Sequence, residues 1–459
     1  MGQQFENQGG AASSEPSRFF RWISSKLTKK MADPQRLVKK RAKAEKLRLK
    51  KKLPHRVEYY HQVDDAYSHL TAQILQQLLD TYDIELVPML AGPPSGDNAP
   101  ELEMLLKYSL TDSLSVASHY GLEFPTNAKT PTTEHQALAT HILASVNPGD
   151  VPQAAVEVGK ALWSRNEKEL ESLAKRYGEA DSAAAEASVV AGSERRDKLG
   201  HYSGAMFYYG GEWYWGVDRL YHLENRLIEL DARKPGKPDL IIPRPEIDSG
   251  DIKDDGSLTL EFYPSLRSPY TSIIFDRTIK LVKDSGVKLV MRPVVPMVMR
   301  GVSLTRQKGF YIFFDTLRES KTLGLNWGKM YDPIGDPVRR AFSLFAWSRE
   351  QGRAAEFLSA FLQAAFFKAV NTNTDAGLRT VVENAGLSWQ DAQSVIDNKD
   401  WEDELEENRL AMIGFGSWGV PSYRLFDSTG EVVLAVWGQD RLWLVAREIK
   451  RLLAEKQKA

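Results

Sequence analysis

Short apolar runs alternate with long amphipathic stretches along this chain, and the whole alternation occurs twice. Residues 57–60 and 258–263 are apolar runs of strand length. Helical periodicity follows over 64–80 and 268–285, and second strands are predicted at 84–87 and 287–292. A strand, a crossover helix and another strand make the two strands parallel. Both halves continue with a long, mainly helical stretch, 99–190 and 305–410. Each closes with two strands and an amphipathic helix: 205–209, 212–215 and 218–230, against 422–426, 432–437 and 439–453. Gly210-Gly211 and Asp427-Ser428-Thr429-Gly430 supply the hairpin turns.

The repetition extends to individual residues. Val57-Glu58-Tyr59-Tyr60 corresponds to Leu260-Glu261-Phe262-Tyr263 at an offset of 203, which also carries Tyr67 onto Tyr270 and Asp112 onto Asp315. The hexamer W-G-x-D-R-L begins at Trp215 and again at Trp437. Internal repeats of this kind indicate duplicated units. The sequence therefore predicts an α/β chain of two tandem thioredoxin-like domains, 55–232 and 256–457, each with a helical insertion. A Pro-, Gly- and Asp-rich linker at 233–255 separates them, and a basic helical N-terminal arm, 1–54, precedes them.

Charge changes the picture of the arm. The chain of 459 residues has a net charge of −1, but residues 1–56 hold sixteen Lys/Arg against four acids, a net of +12, leaving −13 elsewhere. Residues 1–17 read as disordered. Residues 18–30 place Phe19, Trp22, Ile23 and Leu27 on one helical face among basic residues, and 36–53 form a more charged helix. Residues 18–53 are accordingly a solvated tail that packs on the acidic body or does nothing specific, a dock for an anionic membrane surface, or a contact for nucleic acid or another macromolecule. No run is long and apolar enough for a membrane span and no signal peptide is visible, so a cytoplasmic protein is expected, peripheral at the inner face of a membrane if the arm docks there.

The chain has no cysteine, which excludes disulfides, thiolate metal sites and cysteine nucleophiles. All eight histidines precede residue 223, so a Ser-His-Asp triad and a histidine-ligated metal are excluded from the second half, and no metal site is expected.

Four segments of the second half carry a resemblance: Ser268-Pro269-Tyr270 after the first strand, Lys308-Gly309-Phe310-Tyr311, Gly419-Val420-Pro421-Ser422, and Trp437-Gly438-Gln439-Asp440-Arg441. In this order and spacing they resemble the DsbA-related branch that contains 2-hydroxychromene-2-carboxylate isomerases and kappa-class glutathione transferases. The first half resembles that branch only through its scaffold. The resemblance implies glutathione as cofactor, with Ser268 holding its thiolate, Pro421 in the cis form presenting the Val420 backbone, and Lys308, Gln439 and Asp440 as further glutathione contacts. Arg267, Tyr270 and Trp418 are candidate substrate contacts, with Phe415 beside Trp418 as a further aromatic wall. The residues alone leave alternatives open: Ser268 as an ordinary helix cap, Gln439 and Asp440 as helix-terminal structure, Lys308 as a solvated cation, Trp418 and Phe415 as core. Arg267 stands where the branch has an apolar or small residue, bringing an extra cation or marking a changed ligand. Asp65, Ala205 and Leu105 stand where the second half has Ser268, Pro421 and Lys308. The implied activity is glutathione-dependent isomerisation or transfer on a small aromatic or unsaturated electrophile. The alternative is a non-catalytic tandem scaffold docked by its arm. In either case the two domains are expected to pair within the chain as dimeric relatives pair between chains.

Overall fold

The computed structural model describes residues 15–458; the expected disorder of 1–17 lies outside them, Glu15 to Ser17 apart. Helix Arg18–Met31 precedes helix Pro34–Lys50. The chain divides into two compact units: Leu37–Pro245, and Glu246 onward together with the helix Arg18–Met31.

In the first unit, strand β1 (Arg56–His61) is flanked by β2 (Glu85–Leu90) and β3 (Met206–Tyr209), and β4 (Glu212–Trp215) pairs with β3. β1 and β2 are parallel and the other pairs antiparallel. In the second unit, β5 (Thr259–Tyr263), β6 (Lys288–Met291), β7 (Ser422–Phe426) and β8 (Val432–Trp437) form a sheet of order β6-β5-β7-β8 with the same senses. Each central strand is buried on both faces, so it reads as a continuous apolar run. Tyr59, Leu78, Ile142 and Phe207 lie in the first core. In the second, the Phe262 ring stacks on Tyr423 and packs on Phe275, with centroids 5.1 and 5.5 Å away.

Two expectations need correction. The helix predicted at 64–80 is two helices, Ala66–Ala72 and Leu75–Thr81. Between them the amides of Gln73 and Ile74 donate three residues back, to Leu70 and Thr71, which tightens the turn. The Gln73 side chain bonds the Glu123 backbone in both directions. The linker at 233–255 is also no loose tether. Its first part seals the first core: the amides of Ile241 and Ile242 donate to buried Glu224, whose carboxyl is pushed up by burial. Its last part belongs to the second unit, where Asp254 accepts from the amides of Gly256 and Leu258 and Asp248 pairs with Lys450.

Each central strand buries a glutamate. Glu261 accepts from Tyr263 Oη, Arg292 Nε and Arg424 Nε, each at 2.7 Å. Glu58 accepts from Tyr60 Oη at 2.6 Å and from Arg195 Nη2 at 2.7 Å. Burial alone would raise the Glu261 carboxyl, but Tyr263 and the two guanidiniums outweigh it and hold it below the usual range. The folded-state value is depressed, so this stabilisation is present above the unfolded carboxylate value and lost as pH falls through the folded one. Glu261→Gln is expected to lower stability by about 2 kcal/mol at neutral pH. Urea titrations at pH 7 and at pH about 3 check this: the gap from the parent protein should narrow in acid.

Candidate functional site

Strand β5 ends at Tyr263, and the chain turns through residues 264–267 into helix Pro269–Ser285. The first amides of any helix lack partners within it. Ser268 answers this: its Oγ accepts from the Thr271 amide at 3.1 Å, and Pro269 follows where no amide is needed. The same Oγ donates to the Val420 carbonyl at 3.4 Å. The register explains the meeting, because Ser422 pairs with Tyr263 and sets Pro421 beside the carboxyl end of β5. The Val420–Pro421 peptide is cis. Ser268 and Val420 are half-buried and Pro421 is buried.

The approach to this loop is close-packed. A Cβ on Gly419 would lie 2.3 Å from Trp437 Nε1, so only glycine fits there. Trp418 is buried with its ring 4.6 Å from that of Trp437. Phe415 packs edge-on against Tyr263 at 5.3 Å.

Arg267 is not an uncompensated cation. Its Nε and Nη2 bond both carboxylate oxygens of Asp332, at 2.8 and 2.9 Å, a bidentate pairing. Burial would raise the Asp332 carboxyl, but Arg267 holds it below the ordinary value. Tyr270 Oη donates to buried Asp315 at 2.9 Å, and Arg318 holds the other oxygen of that carboxylate. Asp315 lies on helix Arg306–Thr322, which also carries Lys308 in its first turn. Lys308 is half-buried, and burial lowers its ammonium pKa. Gln439 is buried; its Nε2 donates to Glu319 at 3.1 Å and to Asp440. Gln439 Oε1 has no hydrogen-bond partner among the described residues.

The structure thus joins Ser268, Val420 and Pro421 directly. It gathers Gln439 and Asp440 with Glu319, on the helix of Lys308 and Asp315. It ties Arg267 to Asp332 and Tyr270 to Asp315. Sequence reading missed Asp332 and Glu319, because neither lies in a motif; Asp315 had a signal in its repeat partner Asp112.

In the other unit the corresponding place is built differently. Asp65 caps helix Ala66–Ala72, accepting from the amides of Tyr67 and Ser68 at 3.4 and 2.9 Å. Burial pushes its carboxyl up to about 6 against the pull of the Ser68 hydroxyl. His61 and His69 are buried and held neutral, lowered by burial to about 4 and about 3. Among the described residues, no cluster of three His, Cys, Asp or Glu could hold a metal ion.

Comparison with known proteins places one half of the chain. No curated protein matches it. A 2-hydroxychromene-2-carboxylate isomerase structure is similar at 19% identity over 44% of this chain and 98% of its own, with a TM-score of 0.37. The cytosolic disulfide reductase DsbM from Pseudomonas aeruginosa gives 14%, 44%, 98% and 0.35. DsbA from Chlamydia trachomatis gives 12%, 44%, 91% and 0.28. The DSBA-like thioredoxin domain family matches residues 259–450. The C-terminal half of this protein, from β5 into its last helix, is a DsbA-like thioredoxin domain.

Proposed function

We propose that the C-terminal domain binds glutathione at the start of helix Pro269–Ser285 and serves a glutathione-dependent isomerase or transferase reaction. The observation that carries this is the setting of the Ser268 hydroxyl, between a helix amide and the Val420 carbonyl. At 3.4 Å the bond to Val420 is long for a hydroxyl donor, so its proton is weakly held and can turn to a stronger acceptor. A thiolate is such an acceptor. The helix N-terminus favours an anion there by about 1 kcal/mol, somewhat under one pKa unit. Disulfide exchange is excluded, because the chain has no cysteine.

The remaining residues fit a γ-glutamyl tripeptide. The Val420 backbone offers strand-like pairing to a peptide. Gln439 Oε1 is an acceptor left over for an ammonium, with the Asp440 carboxylate next to it in sequence. Lys308 supplies a partly desolvated cation for a carboxylate. Bound glutathione would supply a thiolate nucleophile for an aromatic or unsaturated electrophile. Ser268 would hold and orient that sulfur, and buried Trp418, packed on half-buried Trp437, would keep the loop in place.

We read the N-terminal unit as a degenerate copy. Five hydrogen bonds recur at matching positions. Tyr60–Glu58 and Tyr67–Asp112 answer to Tyr263–Glu261 and Tyr270–Asp315. The Gln62 amide to Ser68 answers to the Ser265 amide to Thr271. The Gly216 amide to the Ala205 carbonyl answers to Gly438 and Pro421. Arg219 to the Asp218 carbonyl answers to Arg441 and Asp440. The last lies within the repeated hexamer and the fourth ties its glycine to the preceding loop, which supports a structural role for the hexamer in both units. Asp65 and Ala205 remove the hydroxyl and the proline, which leaves this copy to structure.

Calorimetric titration of reduced glutathione into the full-length protein tests the proposal. Binding is expected, weakened about tenfold by Lys308→Met and by Ser268→Ala. Ser268→Ala also removes a helix cap worth about 1 kcal/mol, so a thermal melt must confirm that it is folded. No heat at millimolar glutathione, or affinity unchanged in both variants, would sink the assignment.

A further inference from the structure

Helix Arg18–Met31 is docked with its apolar side outward. At 100° per residue, Arg21, Ser24, Ser25 and Thr28 share one stripe, while Phe19, Ile23, Lys26, Leu27 and Lys30 lie opposite. The polar stripe is the one that meets the protein. Arg21 is only 2% exposed; it pairs with Glu15, and its Nη1 donates to the Asp332 carbonyl at 2.9 Å. Thr28 Oγ1 donates to the Met330 carbonyl at 3.3 Å. Beyond the helix, Ala32 rests on Gly328, where a Cβ would lie 2.5 Å from its own. Glu15 in turn accepts from the Asp336 amide at 3.0 Å.

The opposite side is left in water. Phe19 is 69% exposed, Trp22 53% and Leu27 54%. The rings of Phe19 and Trp22 stack at 6.3 Å, and the Lys26 ammonium lies 5.7 Å from the Trp22 centroid. A surface helix ordinarily buries its apolar stripe. This one places a buried arginine inside and leaves large apolar groups outside, ringed by Arg18, Lys26, Lys29 and Lys30, with no acid in its sequence. No helix of the described residues is long and apolar enough to cross a membrane.

We propose that the outward face of helix Arg18–Met31 is a docking surface for an anionic phospholipid bilayer. The helix lies in the interface, with Phe19, Trp22 and Leu27 among the acyl chains and its lysines against the headgroups. The observation that selects lipid is the combination of aliphatic and aromatic side chains with unopposed positive charge on one face. A nucleic acid would leave Leu27 and Ile23 without an apolar partner. The docking is independent of the chemistry at Ser268.

Co-sedimentation of the full-length protein with vesicles tests it, using phosphatidylcholine alone and phosphatidylcholine with one quarter phosphatidylglycerol. Binding to the anionic vesicles alone is expected. Each lysine near the surface contributes about 1 kcal/mol, so Lys26, Lys29 and Lys30 changed together to Gln should weaken it about 100-fold. Trp22→Ser with Leu27→Ser should weaken it at least about tenfold. These positions point away from the docking stripe, so thermal melts should match the parent, and Ser268→Ala should bind vesicles as the parent does. No binding to anionic vesicles at low salt overturns the proposal. So does binding that falls with the lysines yet ignores Trp22 and Leu27, which would mark a purely ionic contact of the kind RNA makes.

Discussion

A helix that starts at the carboxyl end of a central strand must find acceptors for its first amides, and that demand organises both halves of this protein. In one half Asp65 meets it with a carboxylate, which is bonded to the Ser68 amide and hydroxyl. In the other Ser268 meets it with a hydroxyl, which has a proton of its own to give. The difference is chemical. A capping carboxylate fills the anion site at the helix terminus with the protein's own charge. A capping serine leaves that site able to receive an anion from outside. On the proposed reading, the helix start is closed by its own carboxylate in one unit and open to a bound thiolate in the other.

Buried charge holds this arrangement in place. Glu58 and Glu261 sit in the middle of their central strands, and each is matched by a tyrosine two residues on and by arginine from neighbouring elements. Such networks are costly when half satisfied, so they fix the strands that bear them. Asp332 does comparable work at the site. Its carboxylate takes Arg267, next to Ser268, while its carbonyl takes Arg21 from helix Arg18–Met31. One residue of the helical segment thus steadies both the turn before the candidate site and the helix that offers its apolar face to solvent.

Much of this was legible in the sequence. The apolar runs marked the strands, the crossover marked the parallel pairs, and the repeated hexamer marked the closing turns. Ser268 and Pro421 stood out only through the four ordered segments that carry the family resemblance, because by residue type alone Ser268 is an ordinary helix cap. What sequence could not show was long-range pairing. Arg267 and Asp332 are 65 residues apart with no local signature, and an unpaired Arg267 reads as a cation free for ligand. The amphipathic stripe of helix Arg18–Met31 was plain, but not which side meets protein. Only the buried Arg21 decides that, and an arginine on a basic helix gives no sign of being the buried one. The break at Gln73 was hidden for a similar reason, since Glu123, which holds it, lies 50 residues away.

If Ser268 and the helix terminus stabilise a thiolate as proposed, the ionisation of bound glutathione reveals it. Thiolate absorbance near 240 nm, followed against pH under saturating protein, gives the thiol pKa in the complex. A value below that of free glutathione is expected, with the shift reduced in a folded Ser268→Ala protein that still binds. A bound thiol that titrates as it does in water, or a shift that survives the loss of the hydroxyl unchanged, would contradict it.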